Sequence, residues 1–167
     1  MDEPGVDVSE ESIEAPADRS WSPDRERALR MWIALARCYS TYSRAVACKV
    51  SDYGLTTPQF GVLEALYHLG PLSLGELAEK LLVTGGNVTY VMDRLEEQEL
   101  VYRERSPEDR RVIQAKLTDK GRQTIADVFP GHGAFIEQLS GHLERDEQDT
   151  LRYLLKKLGV AIREHEL

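Results

Sequence analysis

Apolar and polar positions alternate along this 167-residue chain with two rhythms, one helical and one strand-like. Leu29, Trp32, Ile33, Ala36, Tyr39, Ser43, Val46 and Val50 fall three or four residues apart, the spacing that gives a helix one apolar stripe. Ser22-Pro23-Asp24 supplies its start: a hydroxyl cap, a proline whose fixed φ suits the first turn, and an acid at the positive end of the helix dipole. The expected helix runs to about Val50, roughly 40 Å, longer than one small lobe needs, and so suggests a strut between two copies of the chain. Asp52-Tyr53-Gly54 ends it. Thr57-Pro58, read as a hydroxyl cap followed by proline, opens a second helix through Phe60, Val62, Leu63, Leu66, Tyr67 and Leu69, which Gly70-Pro71 closes. Ser73 with Glu76 makes a capping box for a third helix to about Leu82, with Leu74, Leu77, Ala78 and Leu81 on its inner face.

A fourth helix is expected from Thr84 to about Glu97. Val88, Val91, Met92 and Leu95 form a narrow core stripe, while Gly86, Asn87, Thr89, Tyr90, Asp93 and Arg94 occupy the rest of its surface. Gly85-Gly86 costs helix stability, about 1 kcal/mol each, but lets backbone approach another surface closely. The rhythm then changes. Leu100 to Arg105 and Val112 to Leu117 alternate as strands do, and Ser106-Pro107-Glu108-Asp109-Arg110-Arg111 between them has turn chemistry and charge. Thr118-Asp119-Lys120-Gly121 starts a fifth helix, which Phe129-Pro130-Gly131 is expected to kink or interrupt. A last helix covers about Arg145 to Glu164, with Leu151, Leu154, Leu155, Leu158 and Ile162 on one side. Helix, turn, helix and hairpin in this order predict a mainly α fold with a small β-hairpin wing, a winged helix-turn-helix supported by helices at both ends.

Composition adjusts this picture. Apolar residues at 41% and charged ones at 30% are ordinary for a globular domain, and no apolar run approaches a membrane span. A cytoplasmic location is the resulting expectation. The net charge of −8 argues against nucleic acid at first sight, but seven acids against Arg19 place most of it in residues 1–20, an acidic segment expected to be a disordered tail. Residues 100–122 instead hold seven Lys and Arg against four acids. Cys38 and Cys48, about 15 Å apart along one helix, cannot form a disulfide there, and each reads first as a small buried hydrophobe. The four histidines lack metal-ligand spacing with the cysteines, and no P-loop, nucleophile elbow or dinucleotide fingerprint appears. No enzyme, metal or cofactor is expected.

Leu55-Thr56 with Gln59, Leu63, Leu77-Ala78, Val88-Thr89, Leu95-Glu96, Leu100-Val101 with Arg103, Asp109-Arg110-Arg111, and Leu117-Thr118 with Gly121 resemble the MarR family of bacterial transcriptional regulators. The resemblance covers about residues 25–163, within one domain from 21 to 167. It implies a DNA-binding lobe at about 55–122 and dimerisation helices at about 23–50 and 119–164. The family usually has Gly where this chain has Glu99, at the turn before the wing. If that turn is left-handed, a side chain there costs about 1–2 kcal/mol.

Such a module sets its second helix in the major groove of double-stranded DNA. The expected DNA-binding residues are Thr84, Gly86, Asn87, Thr89, Tyr90 and Arg94, with Arg110 and Arg111 directed to an adjacent minor groove by a wing, Arg103–Arg111, that clamps it. By resemblance Asp109 orients a wing arginine. Ser73 and Thr57 read first as plain caps. A homodimer would read a pseudo-palindromic operator and act as a repressor released by a small phenolic ligand, or, from weaker likeness at 84–97 and 129–132, a quinone. Trp32, Tyr39, Tyr42, Phe60, Tyr67 and His68 are candidates to line the effector pocket. Two alternatives stand beside this: thiol sensing at Cys38, flanked by Tyr39 and Tyr42, and a helical protein-interaction scaffold without DNA binding.

Overall fold

The computed structural model describes residues 21–81, 83–106, 109 and 111–165; the acidic segment 1–20, Leu82 and Arg110 lie outside the described residues. The elements in order are α1 (Pro23–Ser51), α2 (Thr57–Leu69), β1 (Leu72–Ser73), α3 (Leu74–Leu81), α4 (Gly85–Glu97), β2 (Val101–Arg105), β3 (Ile113–Leu117), α5 (Asp119–Ser140) and α6 (Arg145–Glu164). The chain divides into compact units at 1–40 and 41–167, with α1 crossing the division. In the first unit the described residues are helical from Pro23 and expose Met31, Trp32 and Tyr39.

In the second unit Val50, Leu55, Phe60, Leu63, Leu66, Leu77, Val88, Met92, Leu95, Val101 and Ile125 form one core. The predicted hairpin gains a third strand that the alternation did not reveal, because β1 is only two residues long. Its Leu72 pairs with Ala115, so the antiparallel sheet has the order β1-β3-β2. The register of β2 on β3 runs from Val101 opposite Leu117 to Arg105 opposite Ile113.

Helix starts follow capping chemistry, with one correction. Thr56, not Thr57, caps α2: its side chain accepts the Gln59 backbone N–H at 3.4 Å, and Gln59 returns the favour to the Thr56 N–H at 2.9 Å. The box leaves Thr57 and Pro58 in the first turn, where proline lacks only an N–H that had no partner anyway. Ser73 and Glu76 form the expected reciprocal box at 3.2 and 2.7 Å. Pro130 does not interrupt α5, which continues to Ser140. On α6 no residue is buried within the chain, and Leu151, Leu154, Leu155 and Ile162 are all exposed.

The passage from α4 into the wing is the tightest joint. Glu99 N–H bonds to the Glu96 carbonyl and Leu100 N–H to the Leu95 carbonyl, the paired closure of a helix that ends on a left-handed residue. Glu99 takes that position with φ 58°, alone among the described non-glycine residues. Thr118 fixes the far side. Its hydroxyl donates to the Glu99 carbonyl at 2.7 Å and accepts the Gly121 N–H at 2.9 Å, and its own N–H bonds the Leu100 carbonyl at 3.1 Å. A Cβ on Gly121 would lie 1.9 Å from the Leu100 oxygen, so only glycine fits.

Two substitutions test the joint in opposite directions. Gly121→Ala should cost more than about 2 kcal/mol, since backbone rather than a mobile side chain must yield. Glu99→Gly should add roughly 0.5–1 kcal/mol, the relief of left-handed strain less the entropy glycine gains in the unfolded chain. Urea midpoints at unchanged slope read both.

Candidate nucleic-acid interface

Thr84 caps α4, accepting the Asn87 N–H at 3.4 Å. The stripe of Val88, Val91, Met92 and Leu95 is buried as its spacing predicts, which turns Gly86, Asn87, Thr89, Tyr90, Asp93, Arg94 and Glu97 outward. Nothing lies within 4 Å of a Cβ built on Gly85 or Gly86, so internal packing does not require either glycine. The Thr89 hydroxyl donates to the Gly85 carbonyl at 3.1 Å and leaves its lone pairs outward. Arg94 lies 5.4 Å over the Tyr90 ring and 2.7 Å from Glu97. Tyr90 and then Glu97 favour its charged form, as Glu104 does for Lys116 in the wing.

The wing turn is held by its own polar groups. Ser106 N–H bonds the Val112 carbonyl at 2.9 Å, and Val112 N–H bonds the Asp109 carbonyl at 2.9 Å. The Asp109 carboxylate accepts the Arg111 backbone N–H at 2.9 Å. Asp109 thus acts on Arg111 through the backbone, and Arg111 stands exposed at the turn. Arg110, the other expected wing cation, lies outside the described residues.

Arg103, read from sequence with the minor-groove clamp, has a different place. Its guanidinium bonds the Glu96 carboxylate, the Asp93 carboxylate at 2.8 Å and the Thr89 carbonyl at 3.1 Å. Its side chain is 22% exposed, against 51% for Arg94. The signal was present: Arg103 shares the inward register of Val101 in β2, opposite buried Ala115, and Asp93 and Glu96 lie one helical turn apart on α4.

Of the six candidate pocket residues, Phe60, Tyr67 and His68 join one cluster of rings within the second unit. Trp32 and Tyr39 are exposed on α1, and Tyr42 hydrogen-bonds Ser140 at 3.2 Å. Phe60 stands 4.4 Å from the His132 ring and 6.3 Å from Tyr53, while His68 meets Phe129 at 4.5 Å and Tyr67 at 5.1 Å. The gathered rings therefore include Tyr53, Phe129 and His132. The Tyr53 hydroxyl and His132 Nδ1 are buried with no hydrogen-bond partner among the described residues. Both cysteines are exposed free thiols rather than the buried hydrophobes expected. No helix among the described residues is long and apolar enough to cross a membrane.

The MarR family model matches residues 55–113. The HTH-type transcriptional regulator MhqR of Bacillus subtilis (strain 168) is 37% identical over 135 residues, 81% of this chain and 93% of that protein. Among solved structures, a mutant of E. coli MarR complexed with operator DNA is 28% identical with a TM-score of 0.72, covering 82% of this chain and 99% of that one. A structure of Bordetella bronchiseptica BpsR, whose DNA binding is described as regulated by 6-hydroxynicotinic acid, is 28% identical with a TM-score of 0.70, covering 78% of this chain and 98% of that one.

The two faces of α4 should separate in stability measurements. Leu95→Ala removes a fully buried side chain and should cost about 3 kcal/mol. Tyr90→Ala and Arg94→Ala, both on the exposed face, should each move stability by less than about 0.5 kcal/mol. Chemical denaturation of the three variants checks this.

Proposed function

The chain belongs to the MarR family, and on that premise we propose that it is a homodimeric repressor that reads a pseudo-palindromic operator and lets go of it on binding a small phenolic or quinone effector. Members of the family are transcriptional regulators that bind DNA, not enzymes. The observation that carries the reading is the division of α4: one stripe sealed into the core, and an outward face on which Gly86, Asn87, Thr89, Tyr90 and Arg94 stand exposed beside Asp93 and Glu97. On a helix in the major groove, Asn87 suits the paired donor and acceptor of adenine, and Arg94 suits guanine or a phosphate. Thr84, Gly86, Thr89 and Tyr90 complete the reading face. Arg110 and Arg111 are the minor-groove cations, with Asp109 setting the turn that presents them. The unburied apolar side of α6 supports a dimer, which sets half-sites about 10 base pairs apart centre to centre.

Arg111→Ala should weaken binding about tenfold or more and reduce the slope of log affinity against log salt by about 1, with its melting temperature nearly unchanged. Gel shifts on a duplex enriched by the wild-type protein from random double-stranded DNA measure this. An unaltered affinity would sink the wing assignment, and a pool with no enriched duplex would favour a protein-binding scaffold.

For the effector, the partnerless Tyr53 hydroxyl and His132 Nδ1 amid aromatic rings are the polar groups a phenol would satisfy. Exposed Cys38 favours the second reading, thiol sensing. Hydroquinone without oxygen should release the duplex, and Tyr53→Phe with His132→Leu should blunt release without altering DNA affinity. Release instead by iodoacetamide, absent in Cys38→Ser, would select the thiol reading.

A further inference from the structure

The composition of α4 poses a difficulty for a helix laid against DNA. It carries Asp93, Glu96 and Glu97 against one cation, Arg94. A duplex bears a phosphate charge about every 1.7 Å of its axis, so uncompensated carboxylates on such a helix repel it. Glu97 is engaged by Arg94 within the helix. The other two acids are met from outside it, by the wing residue Arg103.

We propose that Arg103 is a positioning residue of the DNA interface that works through Asp93 and Glu96, engaging both acids of the reading helix, offsetting one of their two charges and fixing the wing's angle to it, and does not itself contact phosphate. The proposal rests on the DNA-binding reading above. Three features carry it. Both terminal nitrogens of the guanidinium are engaged, one by Glu96 and the other by Asp93 and the Thr89 carbonyl. The three acceptors come from one side of α4, between Thr89 and Glu96, so the planar fork locks β2 in direction as well as distance. The side chain is also largely covered, unlike Arg94 on the reading face. Moving Arg103 onto a phosphate would release two carboxylates beside the DNA, an exchange of one favourable contact for two repulsive ones.

A double-mutant cycle decides between this and direct contact. Affinity for the enriched duplex is measured for wild type, Arg103→Met, Asp93→Asn with Glu96→Gln, and all three changes together. Arg103→Met should weaken binding about tenfold or more in the wild-type background and less than about twofold in the Asn/Gln background. A similar loss in both backgrounds means that Arg103 holds phosphate and overturns the proposal. Arg103→Lys, which keeps the charge but not the fork, should fall between wild type and Arg103→Met, and it replaces Met in the cycle if Arg103→Met does not fold. Without DNA, amide exchange at Val101–Arg105 should quicken in Arg103→Lys while the α2 core stays protected; unchanged protection overturns the positioning role. If wild type enriches no duplex, the DNA-binding reading fails, and the exchange measurement still decides whether Arg103 joins wing to helix.

Discussion

The Leu100 carbonyl can lie against the start of α5 only because residue 121 has no side chain. That contact fixes where the wing begins, since Thr118 holds both Glu99 and Leu100 from the same side. A wing beginning at Val101 puts Arg103 on the inner face of β2, two residues along, where a side chain reaches α4. A slip of one residue would send Arg103 to solvent and Tyr102 or Glu104 inward against Asp93 and Glu96. Register, joint and ion pairs are one constraint. Glu99 tolerates its left-handed backbone because the double carbonyl closure of α4 and the Thr118 bond together leave it no other conformation.

The same geometry reconciles a net charge of −8 with a DNA-binding reading. Cations on this lobe differ in where they face. Arg103 and Lys116 are largely covered and meet acids of the chain itself, at Asp93, Glu96 and Glu104. Arg111 is directed outward by a turn bonded through its backbone, and Arg94, although paired with Glu97, stays exposed on the outward face of α4. Summed charge counts covered and outward cations alike, whereas a polyanion meets mainly the outward ones, over distances that salt limits to about 8–10 Å.

Helical stripes, the Ser73 box and the buried side of α4 were legible because each is a local pattern repeated over several residues. β1 was not: two residues give no alternation, and Leu72 becomes a strand only by pairing with Ala115 forty-three positions later. The cap of α2 was misplaced by one residue because Thr56 and Thr57 offer the same hydroxyl, and only Gln59 three positions on distinguishes Thr56. Arg103 was assigned by its neighbours on the hairpin, when its partners belong to a helix seven to fourteen residues earlier. The aromatic candidates fared similarly. Ring-bearing residues were easy to name, but which rings meet depends on α2 and α5 packing together, so His132 and Tyr53 entered only with the structure.

For the proposed effector, the packing of α2 bears on how a signal could travel. Phe60 on α2 touches the His132 ring, and the next residue, Gly61, brings α2 so close to α3 that an added Cβ would sit 3.0 Å from Leu81 Cδ2. α2 also contacts α4. A shift of α2 driven by the proposed effector would therefore act first on α3 and α4, the helices packed against it. The size of the response is then set by thermodynamics alone. A hundredfold loss of operator affinity requires the effector to favour the released state by about 2.8 kcal/mol. Satisfying one or two buried polar groups that lack partners in the free chain contributes on that scale, about 1–3 kcal/mol each, provided the operator-bound arrangement leaves them unsatisfied. Under that condition the proposed effector needs no large buried surface, because the Tyr53 hydroxyl and His132 Nδ1 together supply a difference of the required size.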